Sequence, residues 1–151
     1  WLQEVNLSEN RLVTLPPQLF ELSQLKRLYL HGNQITTLPP LAGVPELEVL
    51  DLHNNRLALL PNDIGLLTQL QMIDVEKNKI RVFPDTLGEL KRLQHLNVAQ
   101  NLIKLVPASL VELPNLTFLK LKNNPIVNLP PDIYLKGTAA SMKYLKEQLT
   151  N

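Results

Sequence analysis

Nothing constrains this chain more than its periodicity: Leu2, Leu25, Leu47, Leu70, Leu93 and Leu116 open six successive units, spaced 23, 22, 23, 23 and 23 residues apart. A chain that repeats at this interval stacks copies of one small unit, because no single copy can bury its own apolar face. Three and five residues into each unit come the aliphatic pairs Val5 and Leu7, Leu28 and Leu30, Leu50 and Leu52, Ile73 and Val75, Leu96 and Val98, Leu119 and Leu121. Alternation with a period of two is strand periodicity, so each unit should supply one short strand that pairs in parallel with its neighbours.

Three residues beyond the second member of each pair stands an asparagine: Asn10, Asn33, Asn55, Asn78, Asn101 and Asn124. Here the chain must leave the strand and turn, which strands backbone groups where water cannot reach them. A side-chain amide both donates and accepts, so a stacked ladder of asparagines can satisfy those groups. Further apolar pairs follow, such as Leu57 and Leu60 or Ile80 and Phe83, and then Pro16, Pro39, Pro61, Pro84, Pro107 and Pro130. Proline has no N–H to give a ladder, so it belongs on the arm that returns to the next strand. That arm carries apolar residues three apart, as in Ile64 and Leu67 or Leu87 and Leu90, the spacing of a 3₁₀ or short helical turn. The second unit is one residue short and reads Pro39-Pro40-Leu41-Ala42-Gly43-Val44-Pro45, which predicts a tighter, more extended bend.

The pattern dissolves after Pro130-Pro131. Residues 138–151 then read as a helix, with Thr138 as N-cap after Gly137 and with Met142, Leu145 and Leu149 on one face, expected to lie over the sixth unit as a cap. The domain plan is thus six repeats over residues 1–137 and a capping helix over 138–151. At the other end Trp1-Leu2 opens the first unit with no capping segment before it; either Trp1 covers the first layer or, the favoured expectation for an unsealed solenoid end, further units or another domain lie upstream.

The form Leu-x-x-Leu-x-Leu-x-x-Asn-x-Leu-x-x-Leu-Pro-x-x-Leu-x-x-Leu resembles the intracellular short-repeat class of leucine-rich repeat proteins over residues 2 to about 135. That class includes Ras-pathway scaffolds, LAP-type polarity scaffolds such as Scribble and Erbin, plant Ras-group repeat proteins and the repeat domains of Roco GTPases. The ending from Pro130 to Thr138, followed by a helix containing Tyr144-Leu145-Lys146, is similar to the segment that closes the array in Roco proteins. The resemblance implies an α/β solenoid, a right-handed arc with a parallel sheet on its concave face and short 3₁₀ or turn segments on its convex face. It also implies a scaffold or regulatory domain that recognises another protein.

Composition narrows the setting. A net charge of +1 with 19% charged residues is far from the basic balance of a nucleic-acid binder. No apolar run approaches the roughly 18 residues of a membrane span, so no membrane insertion is expected. The absence of cysteine suits a reducing compartment, since secreted leucine-rich domains usually close their ends with disulfides; a cytoplasmic location is the expectation, and a secreted or cell-surface recognition domain the alternative.

If the strand residues between the core positions face outward, they form columns across the concave face. One column reads Glu4, Arg27, Val49, Met72, His95, Phe118, and the next Asn6, Tyr29, Asp51, Asp74, Asn97, Lys120. His31 and His53 follow in a third. The candidate partner-binding set is Tyr29, His31, Val49, Asp51, His53, Met72, Asp74, His95, Phe118 and Lys120, with the apolar and aromatic members suited to an interface centre. His31 and His53 beside Asp51 and Asp74 hold the raw ingredients of a metal or acid–base site. An open face excludes no water, however, and parallel columns are expected to set these groups side by side without convergence. With no cysteine nucleophile, phosphate loop or Ser-His-Asp context, no catalytic residue, metal or cofactor is assigned. Beyond the asparagines, Arg11, Arg56, Lys79, Arg81 and Lys104 make a loose basic stripe read as a solvated face.

Overall fold

In the computed structural model, which describes residues 1–150, each repeat contributes one three-residue strand. These are β1 (Glu4–Asn6), β2 (Arg27–Tyr29), β3 (Val49–Asp51), β4 (Met72–Asp74), β5 (His95–Asn97) and β6 (Phe118–Lys120), joined in sequence order into one parallel sheet. Nearly equal unit lengths make the register uniform: Val5, Leu28, Leu50, Ile73, Leu96 and Leu119 lie opposite one another along the sheet. The middle four of these side chains are completely buried. Pairing runs past the strands, with Leu7, Leu30, Leu52, Val75 and Val98 each donating an N–H to the next unit.

The chain then turns through a residue with positive φ, namely Glu9, Gly32, Asn54, Lys77, Gln100 and Asn123, at φ between 56° and 69°. A left-handed conformation costs most non-glycine residues about 1–2 kcal/mol; Gly32 avoids this, and Asn54 and Asn123 are of the type that tolerates it best. The asparagine that follows holds the turn closed. Asn78 Nδ2 donates to Leu52 O, Val75 O and Glu76 O at 3.0, 2.9 and 3.4 Å, while its Oδ1 accepts the Leu57 N–H at 2.9 Å. Asn33, Asn55, Asn101 and Asn124 repeat this scheme, each tying its own turn to the unit before it. Asn10 is exposed and bonds only within its own unit, to Leu7 O and Ser8 O.

The return arms hold 3₁₀ turns at Pro17–Glu21, Asn62–Leu66, Asp85–Glu89 and Ala108–Glu112, each entered through an extended proline. The shortened second arm has none, in agreement with its sequence. Its bend brings Gly43 against the first arm so closely that a Cβ there would collide with the Phe20 carbonyl oxygen.

The two ends differ. Leu2 is 53% exposed and Trp1 fully so, and Trp1 covers nothing of the first layer. At the other end a short helix α1 (Pro131–Tyr134) precedes α2 (Thr138–Leu149), which packs on residues 108–112 and on β6. Two details of the expected cap change. Gly137, at φ 117°, is the N-cap, and Thr138 is already helical; its Oγ1 instead accepts the Leu119 N–H at 2.7 Å, on the outer edge of β6. Leu149 is exposed, and the packed face consists of Ser141 and Leu145 with Met142 and Tyr144 partly buried, so contact with the core ends one turn earlier.

Candidate functional site

The strand register sets the outward residues in two parallel columns, Glu4, Arg27, Val49, Met72, His95, Phe118 and Asn6, Tyr29, Asp51, Asp74, Asn97, Lys120. In the first, Glu4 and Arg27 form an exposed ion pair at 2.6 Å, Val49 and Met72 are half-buried, and His95 stacks on Phe118 with ring centroids 4.2 Å apart. Phe118 is 42% exposed and is the most open apolar side chain of the column.

The second column behaves differently. Asn6, Asp51, Asp74 and Asn97 each accept, through Oδ1, the N–H of the residue two further on, at 3.0 to 3.2 Å. These are Asx turns that shape the exit from the strand. Asp51 and Asn97 are buried as a result. The two carboxylates therefore serve the backbone first and stand less open than an unoccupied surface column would. Tyr29 and Lys120 cannot make this turn, and the Lys120 ammonium reaches Glu76 instead.

A polar cluster joins the last three units. Glu76 accepts from Asn97 Nδ2 at 2.8 Å and Gln100 Nε2 at 3.1 Å and pairs with Lys120 Nζ at 3.5 Å. Burial pushes the Glu76 carboxyl up, but Asn97, Lys120 and Gln100 together outweigh it and hold the group below its ordinary range. Asp74 goes the other way: burial raises its pKa, the Glu76 N–H opposes this, and neighbouring Asp51 adds to it. A carboxyl whose pKa is raised by folding destabilises the folded state while it is charged. Asp74→Asn keeps the oxygen acceptor for the Glu76 N–H, so it should raise the melting temperature at pH 7 by about 1–2 °C. The gain should shrink as pH falls through the Asp74 titration, above the ordinary 3.8. A gain equal at all pH values in thermal melts would show that charge is not its origin.

His31, Asp51 and His53 converge, contrary to the expectation that adjacent columns keep such groups apart. The two imidazoles stack with centroids 4.4 Å apart and planes 6° from parallel. The Asp51 carboxylate lies against both, with Oδ1 2.6 Å from His53 Nδ1 and Oδ2 3.2 Å from His31 Nδ1.

The leucine rich repeat family profile matches residues 2–57 and 68–126. The chain belongs to the leucine-rich repeat family. Among solved structures, a leucine-rich repeat protein of Leptospira interrogans is 35% identical with a TM-score of 0.81, over 85% of this chain and 33% of that one. The ectodomain of the Arabidopsis thaliana receptor kinase SOBIR1 is 31% identical with a TM-score of 0.71, over 81% of this chain and 69% of that one. The plant peptide hormone receptor RGFR1, solved with RGF2, is 29% identical with a TM-score of 0.75, over 82% of this chain and 21% of that one. This chain thus spans about a third of the Leptospira protein and about a fifth of the hormone receptor. No match is found among curated proteins.

Leucine-rich repeat domains are suited to binding protein partners, and no enzyme family is indicated for this one. No helix among the described residues is long and apolar enough to cross a membrane. Besides the concave columns, the flank beyond the asparagines exposes Leu59, Val82, Leu102 and Leu105 next to Arg81 and Lys104. In the sequence the cations of this flank stand out, whereas its aliphatics sit between core positions and merge with them in the pattern.

Proposed function

We propose that this leucine-rich repeat domain is a non-enzymatic recognition module that docks a protein partner across its concave sheet. The observation that carries this reading is the in-register row Val49, Met72, His95, Phe118: partly open apolar and aromatic side chains held on a sheet whose inward positions are fully occupied by core. Side chains on such a frame lose little entropy when they bind. Met72 and Phe118 serve as anchors, Tyr29 and Val49 extend the contact, and Lys120 and Lys122 set its orientation. Asp51 and Asp74 contribute field more than direct contact, because their oxygens already hold backbone N–H groups.

The finer reading is an intracellular scaffold or regulatory domain of the short-repeat class, supported by the recurring Leu-Pro step and the lack of cysteine. The receptor kinase ectodomain among the similar structures favours a second setting, recognition at the cell surface. Antibody labelling of intact against permeabilised cells separates the two.

The site itself is tested by affinity capture. Met72→Lys or Phe118→Lys should each weaken partner binding by about 2 kcal/mol or more, roughly thirty-fold, without an appreciable shift in melting temperature. Arg81→Glu, on the far side of the turn, should leave capture intact. If only the Arg81 substitution matters, the flank of Leu59, Val82 and Leu105 is the working face and the concave assignment falls.

A further inference from the structure

We propose that His31 and His53, joined by Glu9, bind a divalent transition-metal ion of the zinc, nickel or copper type, with Asp51 orienting both imidazoles. The two histidines sit on adjacent units at equivalent positions, two residues beyond β2 and β3, and their backbones are tied by the Glu9 N–H to His31 O and the Gly32 N–H to His53 O. That laddering holds the side chains one repeat apart and produces the 4.4 Å stack.

The placement of the carboxylate is what turns a stacked pair into a ligand set. Asp51 is buried and anchored by the His53 N–H, and its two oxygens lie 2.6 and 3.2 Å from the two Nδ1 atoms. An ionised carboxylate only accepts, so at His53 it selects the tautomer with the proton on Nδ1 and leaves Nε2 with a free lone pair. A carboxylate behind the imidazole, fixing tautomer and ring orientation, is the usual outer support of a histidine–metal bond. The same carboxylate faces the second ring at 3.2 Å. Glu9 Oε1 stands 3.9 Å from His31 Nε2.

His31 also shows that the metal-free arrangement is incompletely satisfied. Its Nδ1 is buried, yet the contact with Asp51 is out of line and no hydrogen bond forms. Buried polar atoms without a partner are uncommon. A tetrahedral ion with bonds of about 2.0–2.1 Å needs its two nitrogens roughly 3.3 Å apart with both lone pairs aimed at it, so the rings, now 6° from parallel, must tilt out of the stack to bind it. Tilting His31 to do so is also the motion that can bring its Nδ1–H into line with Asp51. Water would complete the coordination sphere on this open face. Imidazole donors select zinc, nickel and copper over magnesium and calcium.

His95 supplies the control, since it lies on the same sheet, stacks on Phe118 and takes no part in the His31–Asp51–His53 cluster. In calorimetric titration of the metal-stripped, untagged chain at pH 7.5, ZnCl₂ should bind at one equivalent with micromolar affinity, while MgCl₂ and CaCl₂ should give no heat beyond dilution. His31→Ala and His53→Ala, both at partly exposed positions, should each weaken zinc at least tenfold. Asp51→Asn should weaken it about 10–100-fold, and His95→Ala should leave it unchanged. Thermal melts of each variant without metal confirm that the sheet is intact. No zinc binding up to about 1 mM, or an equal loss in His95→Ala, would overturn the assignment.

Discussion

Deletion of residues 138–151 is expected to lower the melting temperature by about 10 °C or more and to drive the chain into aggregates. Leu145 is 3% exposed in the intact chain, and burying such a side chain is worth about 1.5–3 kcal/mol. Removing the helix also uncovers parts of the layer beneath it, formed by residues 108–112 and β6. A total above about 4 kcal/mol is a large share of the 5–15 kcal/mol that holds a domain of this kind folded, and at 2–4 °C per kcal/mol it gives the stated shift. The aggregation has a separate cause. The Leu119 N–H on the outer edge of β6 is taken by Thr138 Oγ1, and without that cover the sheet presents a free edge to other chains. Leu145→Ala should reproduce part of the loss, about 2–5 kcal/mol, while leaving Thr138 in place. Denaturant melts and light scattering measure the two effects. A truncated chain that stays monomeric with an unchanged melt would make α2 a free appendage, open to a partner.

Asn78→Ala is expected to cost about 1–3 kcal/mol, against less than about 0.5 kcal/mol for its exposed neighbour Lys79→Ala. The Asn78 side chain donates to three carbonyls and accepts one N–H, drawn from its own unit and the one before it, at a site that is 8% exposed. Alanine leaves those groups in place with nothing to bond, and water reaches them poorly. The turn suffers as well, because Lys77, immediately before it, holds φ at 57°. Asn10→Ala should be much milder, since that side chain is exposed and bonds only within its own unit. Equal losses for Asn10, Asn78 and Lys79 in urea melts would mean that the ladder hydrogen bonds carry little of the stability.

How much of this could be read from the chain follows from what periodicity encodes. Nearly constant unit length makes parallel pairing fall into register without offset, so the order of the strands and the membership of the outward columns follow from counting residues. The proline and the three-residue apolar spacing likewise foretell the 3₁₀ turns, because both are local conformational demands. Counting is silent on how a side chain leans once it has left the sheet. Asp51 and Asp74 read as surface charges, and only the fold shows them folded back onto the N–H groups of His53 and Glu76, although four Asn or Asp residues in one column were a usable signal for Asx turns. Glycine marks the left-handed column once and asparagine twice in six units; the neighbouring asparagine ladder lets glutamate, lysine and glutamine occupy the other three positions and blur the signal.

Thr138 looked like a helix cap because hydroxyl residues accept N–H groups at helix starts. The N–H it accepts belongs instead to Leu119, brought to it only when the helix docks on β6. The convergence of His31, Asp51 and His53 has the same origin. Position in the repeat places the three in neighbouring columns, but the stacking of two rings over one buried carboxylate depends on contact between side chains of successive units, which exists only in the assembled arc.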